Sequence, residues 1–276
     1  MQLLAGEILP NSLSEADLAA LRRAVAALER PSLAMRMAAL VGKPVEFLGR
    51  LAPVAVGEVA RQAMEAALTT SLRVALNPKL PAGRDKTGHW HKALAAMSGG
   101  IGGAFGLGAL AIELPITTTI LLHAVADIAR REGEDLSRPE GGLACIEVFA
   151  FAGSDKDAHG GAGYLAVRTA LARTMTEAAR YIAERGLAVE GAPVLVRVVA
   201  QITSRFGLIV SQKFVAQAVP VVGAVAGAAI NTAFMEHFQS MAMGHFIVRR
   251  LERVYGPDLI ATAYNEIKLS DAALAR

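Results

Sequence analysis

Two stretches without a single charged residue, 93–112 and 214–235, each carry glycine at four-residue spacing. In the first, Gly99/Gly103 and Gly102/Gly106 fall on one helix face; in the second, Gly223/Gly227 do the same. A helix face without side chains lets another backbone approach closely, in a dry protein core or in lipid. The expectation is an all-α multi-helix bundle in which two central Gly-rich apolar helices pack against each other.

The remaining chain agrees with a helical reading, because apolar residues recur at three and four positions nearly everywhere and no strand alternation stands out. Ser12 followed by Glu15 has capping-box spacing and predicts a helix with the stripe Leu18, Leu21, Val25 and Leu28, stopping before Pro31. Ser137 with Glu140 predicts another helix reaching Ala152. Residues 164–185 form an amphipathic pattern with Arg168, Glu177, Arg180 and Glu184 read as outward. A very long pattern covers residues 214–255, bent near Pro220, and Pro257 opens a last short helix. Pro115 lacks an amide hydrogen, so the helix is expected to break or restart there. These breaks divide the chain into an N-terminal helical layer (1–76), a loop (77–91), a helical core (92–264) and a C-terminal tail (265–276).

Composition sets the surroundings. With 53% hydrophobic residues, 19% charged and a mean hydropathy of +0.39, the chain is more apolar than a usual soluble domain. Both glycine-rich windows barely reach the ~20 residues that a spanning helix needs. They hold only six and eight Leu, Ile, Val or Phe, each worth about 0.3–0.6 kcal/mol of insertion, and centring the first on Glu113 would cost about 2.5–3.5 kcal/mol. Buried central helices are therefore expected over full spans. The formal charge of +3 gathers locally at Arg249, Arg250 and Arg253, either a solvated helix end or a contact with anionic lipid headgroups. No basic run interleaves with aromatics, so nucleic acid is not an expected partner. A single cysteine, Cys145, rules out an intramolecular disulfide and sits in an apolar setting suited to inert packing. The N-terminus lacks the pattern of a secretory leader, which places the protein on the cytoplasmic side.

Candidate chemical residues are few. Glu113 lies between apolar neighbours with Thr117 one turn later, and Asn231 is a polar amide deep in the second stretch. These three form a candidate polar cluster if the stretches pack together; each also suits a structural cap or a core latch. His123 and Asp127 share a helix face, a spacing that can orient a base or serve as a surface ion pair. His237 and His245 lie two turns apart, but a metal would need a further converging ligand, and none is expected. Gly106-Leu107-Gly108-Ala109-Leu110-Ala111 matches a dinucleotide fingerprint in letters only, without the strand that motif requires, so no cofactor is expected. No catalytic constellation stands out.

Several motifs follow one another in a set order: Ser98-Gly99-Gly100-Ile101-Gly102-Gly103, Glu113-Leu114-Pro115, Ala126-Asp127-Ile128-Ala129, Gly133-Glu134-Asp135-Leu136, Pro220-Val221-Val222-Gly223-Ala224 with Asn231, His237-Phe238, and Arg250-Leu251-Glu252-Arg253-Val254-Tyr255-Gly256. In that order, over about residues 86–264, the chain resembles the EcsC family of bacterial proteins. The resemblance implies that Glu113, Asp127, Asn231 and His237 stand in motif positions, and it transfers no catalytic role. The family is named for a neighbour of ABC-transporter genes and has no agreed activity. The expected function is a non-enzymatic, membrane-associated accessory protein on the cytoplasmic face of the inner membrane, peripheral or partly embedded, beside an ABC transporter or other membrane complex. The alternatives are a soluble cytoplasmic protein, a hydrolase of lipid or peptide working through Glu113 or His123/Asp127, and a membrane-remodelling oligomer acting through the glycine faces.

Overall fold

Ser14 accepts a hydrogen bond from the backbone amide of Asp17 at 3.1 Å and caps α1 (Glu15–Leu28). The cap thus falls two residues after the expected Ser12, on the Ser14/Asp17 spacing, because the side chain must reach an amide of the first turn. The computed structural model describes residues 13–29, 110–152, 163–186, 192–217 and 224–274, with the single positions Leu33, Arg36, Glu65, Ala66 and Thr69. The described residues form seven helices and no strand: after α1 come α2 (Leu110–Arg131), α3 (Pro139–Ala152), α4 (Tyr164–Arg185), α5 (Pro193–Gln217), α6 (Ala224–Tyr255) and α7 (Pro257–Leu274). The chain is an all-α bundle.

α6 is the hub. Its 32 residues rise about 48 Å at ~1.5 Å each, and it packs against α1, α2, α3, α5 and α7. Between Ile230 and Leu251 it buries residues on nearly every side, as a helix with neighbours all round must. Phe234 and Phe238 of α6 meet Phe149 of α3 and Phe206 of α5, with ring centroids 4.9–6.4 Å apart in edge-on and tilted arrangements that suit aromatic quadrupoles. α1 crosses α6 at Gly244, where an added Cβ would stand 3.0 Å from the Ala24 carbonyl oxygen and 2.6 Å from Leu28 Cγ. Among described residues this is where a glycine brings two helices together.

Several expectations change. α2 runs unbroken through Pro115; one ladder bond is lost there, while neighbouring turns and tertiary packing keep the axis continuous. Of the long pattern at 214–255, residues 214–217 belong to α5 and residues 224–255 to α6, while 218–223, with the expected bend at Pro220, lie outside the described residues. Residues 265–274, expected as tail, continue α7, whose Ile260, Tyr264 and Ile267 are buried. α1 packs on α6 and α7, so this part of the N-terminal layer joins the core. The loop 77–91, Gly99, Gly102, Gly103, Gly106 and Gly223 lie outside the described residues, and Gly227 lies in α6; the pairing of the two glycine faces is therefore not among the described contacts. No described helix is long and apolar enough to cross a membrane.

Candidate functional site

α3 packs against α2, α4, α5 and α6, and residues 141–151 are buried without exception. Glu147 sits in the middle of that run and is carried into the core with it, leaving only 7% of its side chain exposed. Burial disfavours the charged form and pushes its carboxyl up to about 7, against the opposing pull of Arg168 and Arg249. Cys145, two residues earlier on the same helix, is pushed up to about 12 by burial and is no ready nucleophile.

Opposite Glu147 lies His245 of α6, fully buried, with Nε2 4.0 Å from Glu147 Oε2. Its Nδ1 is 2.9 Å from the hydroxyl of Tyr164, the first residue of α4. Burial, aided by the charges of Arg168 and Arg249, holds the imidazole well below its ordinary value, so it is neutral at physiological pH. Phe151 packs on both rings, with centroids 4.8 Å from Tyr164 and 4.9 Å from His245. Tyr164 also stacks at 5.7 Å on Tyr264 of α7, which donates to Glu29 Oε1 at 3.0 Å.

A belt of ion pairs closes one side of this core. Arg168 of α4 donates through Nη1 and Nη2 to both Glu252 oxygens, at 2.6 and 2.7 Å. Arg249 grips Glu134 through Nε and Nη2, and Arg253 reaches the same carboxylate at 2.6 Å. Burial works to raise the Glu134 carboxyl, yet the bonds and charges of the two arginines outweigh it and hold it below the ordinary range. Arg250 bridges Glu132 at 2.9 Å and Asp17 at 3.1 Å. Gly133 makes the geometry possible: at φ +74° it takes the left-handed conformation that ends α2, with the Glu134 amide bonding to the Ala129 carbonyl at 2.9 Å. That turn throws Glu132 and Glu134 towards α6. Two short runs far apart in sequence, Gly133-Glu134 and Arg249 to Arg253, are therefore halves of one contact.

Above Glu147 a cavity of about 520 Å³ opens between α3 and α4. Glu147, Arg168 and Arg249 give it polar groups, Leu143, Ala144, Met175 and Ala179 give it apolar walls, and Glu140 and Arg180 also line it. Among the described residues Glu147 makes no hydrogen bond, and its ionic contact is with the neutral His245.

The residues singled out in the sequence stand elsewhere. Thr117 and Asn231 are buried on α2 and α6, which pack together, and the Thr117 hydroxyl has no hydrogen-bond partner; the side chain of Glu113 lies outside the described residues. His123 Nδ1 bonds back to the Thr119 carbonyl at 2.8 Å, and Asp127 accepts from Arg130 at 3.0 Å, so these bonds run along α2. Thr117, Asn231, His123 and Asp127 do not line the cavity. Arg168, read as outward, points inward, and Arg249, Arg250 and Arg253 are engaged by carboxylates of the same chain. Glu147 and Tyr164 went unmarked in the sequence. A lone acid in the apolar run 143–152 is the same signal that drew attention to Glu113. Among the described residues no three His, Cys, Asp or Glu side chains gather where they could hold a metal ion.

A model of the EcsC protein family matches residues 15–251. The match takes in α1, which the motifs at about 86–264 do not reach, and it covers the Gly133 turn, the ion-pair belt up to Leu251 and the cavity. No curated protein and no solved structure matches the chain.

Proposed function

The chain belongs to the EcsC protein family, and from that premise we propose that it is a non-enzymatic accessory protein held against the cytoplasmic face of the inner membrane, beside an ABC transporter or other membrane complex. What supports the reading is the outer side of α4 and α5. These packed helices turn Arg173, Arg180, Arg185, Arg197 and the half-exposed Arg205 outward against Glu177 and Glu184, five cations against two anions. Surface pairs such as Arg173–Glu177 at 2.9 Å and Arg180–Glu184 at 4.0 Å are weak in water and leave the surplus available to an anionic surface. Arg249, Arg250 and Arg253 add little to it, because each guanidinium already has an internal carboxylate. The hydrolase reading draws less support: neither His123 nor Asp127 lines the cavity.

Co-sedimentation with vesicles tests the proposal. The protein pellets with phosphatidylglycerol-containing vesicles at low salt and far less with phosphatidylcholine alone. Reversing Arg173, Arg185 and Arg197 to Glu weakens the anionic binding by at least about a hundredfold, at ~1 kcal/mol for each lost cation. Protein that stays in the supernatant with both vesicle types removes the membrane reading.

A further inference from the structure

The cavity above Glu147 is lined by polar groups that the described residues leave unengaged. Among the described residues, Arg168 bonds Glu252 through its two Nη atoms, which leaves its Nε–H without an acceptor; Arg249 bonds Glu134 through Nε and Nη2, which leaves Nη1. Both side chains line the cavity. Glu147, 7% exposed and without a hydrogen bond, lines it as well. The charges acting on Glu147 are Arg168 from α4 and Arg249 and Glu252 from α6, two cations and one anion, with Tyr164 and His245 uncharged and no contribution from α2 or α5. Arg249 shares its own carboxylate, Glu134, with Arg253. Glu140 and Arg180, the other charged lining residues, are opposite in sign, so the open polar groups of the cavity are these two guanidinium donors and the Glu147 carboxyl.

We propose that this cavity binds a monocarboxylate with a short aliphatic chain, its carboxylate accepting from Arg168 Nε, Arg249 Nη1 and the carboxyl group of Glu147, and its chain lying against Leu143, Met175 and Ala179. An acid–carboxylate pair needs one proton between two oxygens, and Glu147, raised to about 7 by burial, still holds one near neutrality. The apolar wall favours a hydrocarbon body, and ~520 Å³ lies within the range of small-molecule sites. A phosphate monoester, at about −1.5 to −2, would bring charge that no group here compensates. An ammonium would meet two guanidiniums. The site is independent of the membrane reading, since Arg173, Arg185 and Arg197 do not line it.

Isothermal titration of the full chain with octanoate tests the site, alongside inorganic phosphate and octylamine. Octanoate binds saturably, one per chain, at pH 6, and its affinity falls about tenfold for each pH unit above 7 as Glu147 ionises. Glu147→Gln keeps a hydrogen-bond donor without a titrating proton, so its affinity is the same at pH 6 and pH 8. Ala172→Trp and Ala183→Trp each fill the mouth from an exposed lining position and abolish binding while circular dichroism stays that of the parent. Four results overturn the proposal: no saturable octanoate binding to folded protein at pH 6, binding that survives both Trp variants, an unchanged pH slope in Glu147→Gln, or phosphate or octylamine binding as tightly as octanoate.

Discussion

Glu147 and Gly244 carry the two clearest single-residue consequences of this structure. Glu147 keeps its proton up to about pH 7 in the folded chain, whereas an unfolded glutamate releases it near ~4.3. Between those values the unfolded state binds fewer protons than the native one, so this group's contribution to stability falls as pH rises and is lost above the folded value. His245, lowered by burial, acts with the opposite sign: its neutral form favours the fold above the unfolded histidine value near ~6.5 and costs stability in acid. Comparing Glu147→Gln with the parent isolates the first effect. The variant is more stable by about 3 kcal/mol at pH 8, and the gain shrinks towards pH 4.5, as urea denaturation at each pH would show; a gain independent of pH would mean that the carboxyl is not desolvated. At Gly244 a methyl group meets the Ala24 carbonyl. Gly244→Ala therefore destabilises by about 1–2 kcal/mol, overpacking outweighing the better helix propensity of alanine, and a rise in thermal midpoint would show that α1 does not sit on α6 this closely.

Between elements, the Arg168–Glu252 pair ties α4 to α6. Both side chains are mostly buried, 22% and 14% exposed, so removing one partner strands the other. Arg168→Met costs about 2–4 kcal/mol, while the double change with Glu252→Leu recovers most of the loss, because an apolar pair of similar volume carries no desolvation penalty. A thermodynamic cycle of the four proteins measures this, and additive losses would show that the two groups do not interact. Helical phase already separates Arg168 from its companions: at about 100° per residue it falls roughly 120–180° from Glu177, Arg180 and Glu184, beside the stripe of Tyr164, Leu171 and Ile182. Polarity alone made it look solvated. The helix limits at Tyr164, Arg185 and Pro257 were legible because caps and prolines act locally. Continuity through Pro115 was not, since neighbouring turns and packing decide whether one lost bond breaks a helix.

For the whole molecule, the two ends of the described chain meet. Tyr264 and Lys268 of α7 both reach Glu29 at the end of α1, at 3.0 and 3.2 Å, and α7 also packs along α6. Ending the chain after Gly256 uncovers that carboxylate and exposes the sites of Ile260, Tyr264 and Ile267. At about 1.5–3 kcal/mol for each large buried side chain, the truncated protein loses more than about 4 kcal/mol, and a melting curve that overlays the parent's would sink this reading of the bundle.

Sequence by itself determined the all-helical class, most helix limits and the family, because periodicity, capping and motif order are properties of neighbouring residues. Tertiary structure alone decided that Glu147, Tyr164, Arg168 and His245 share one buried centre and that the Arg249–Arg253 run faces Glu132 and Glu134. Those partners come from different elements, 118 residues apart for Arg250 and Glu132, and whether a charge is solvated or desolvated depends on which helix packs over it.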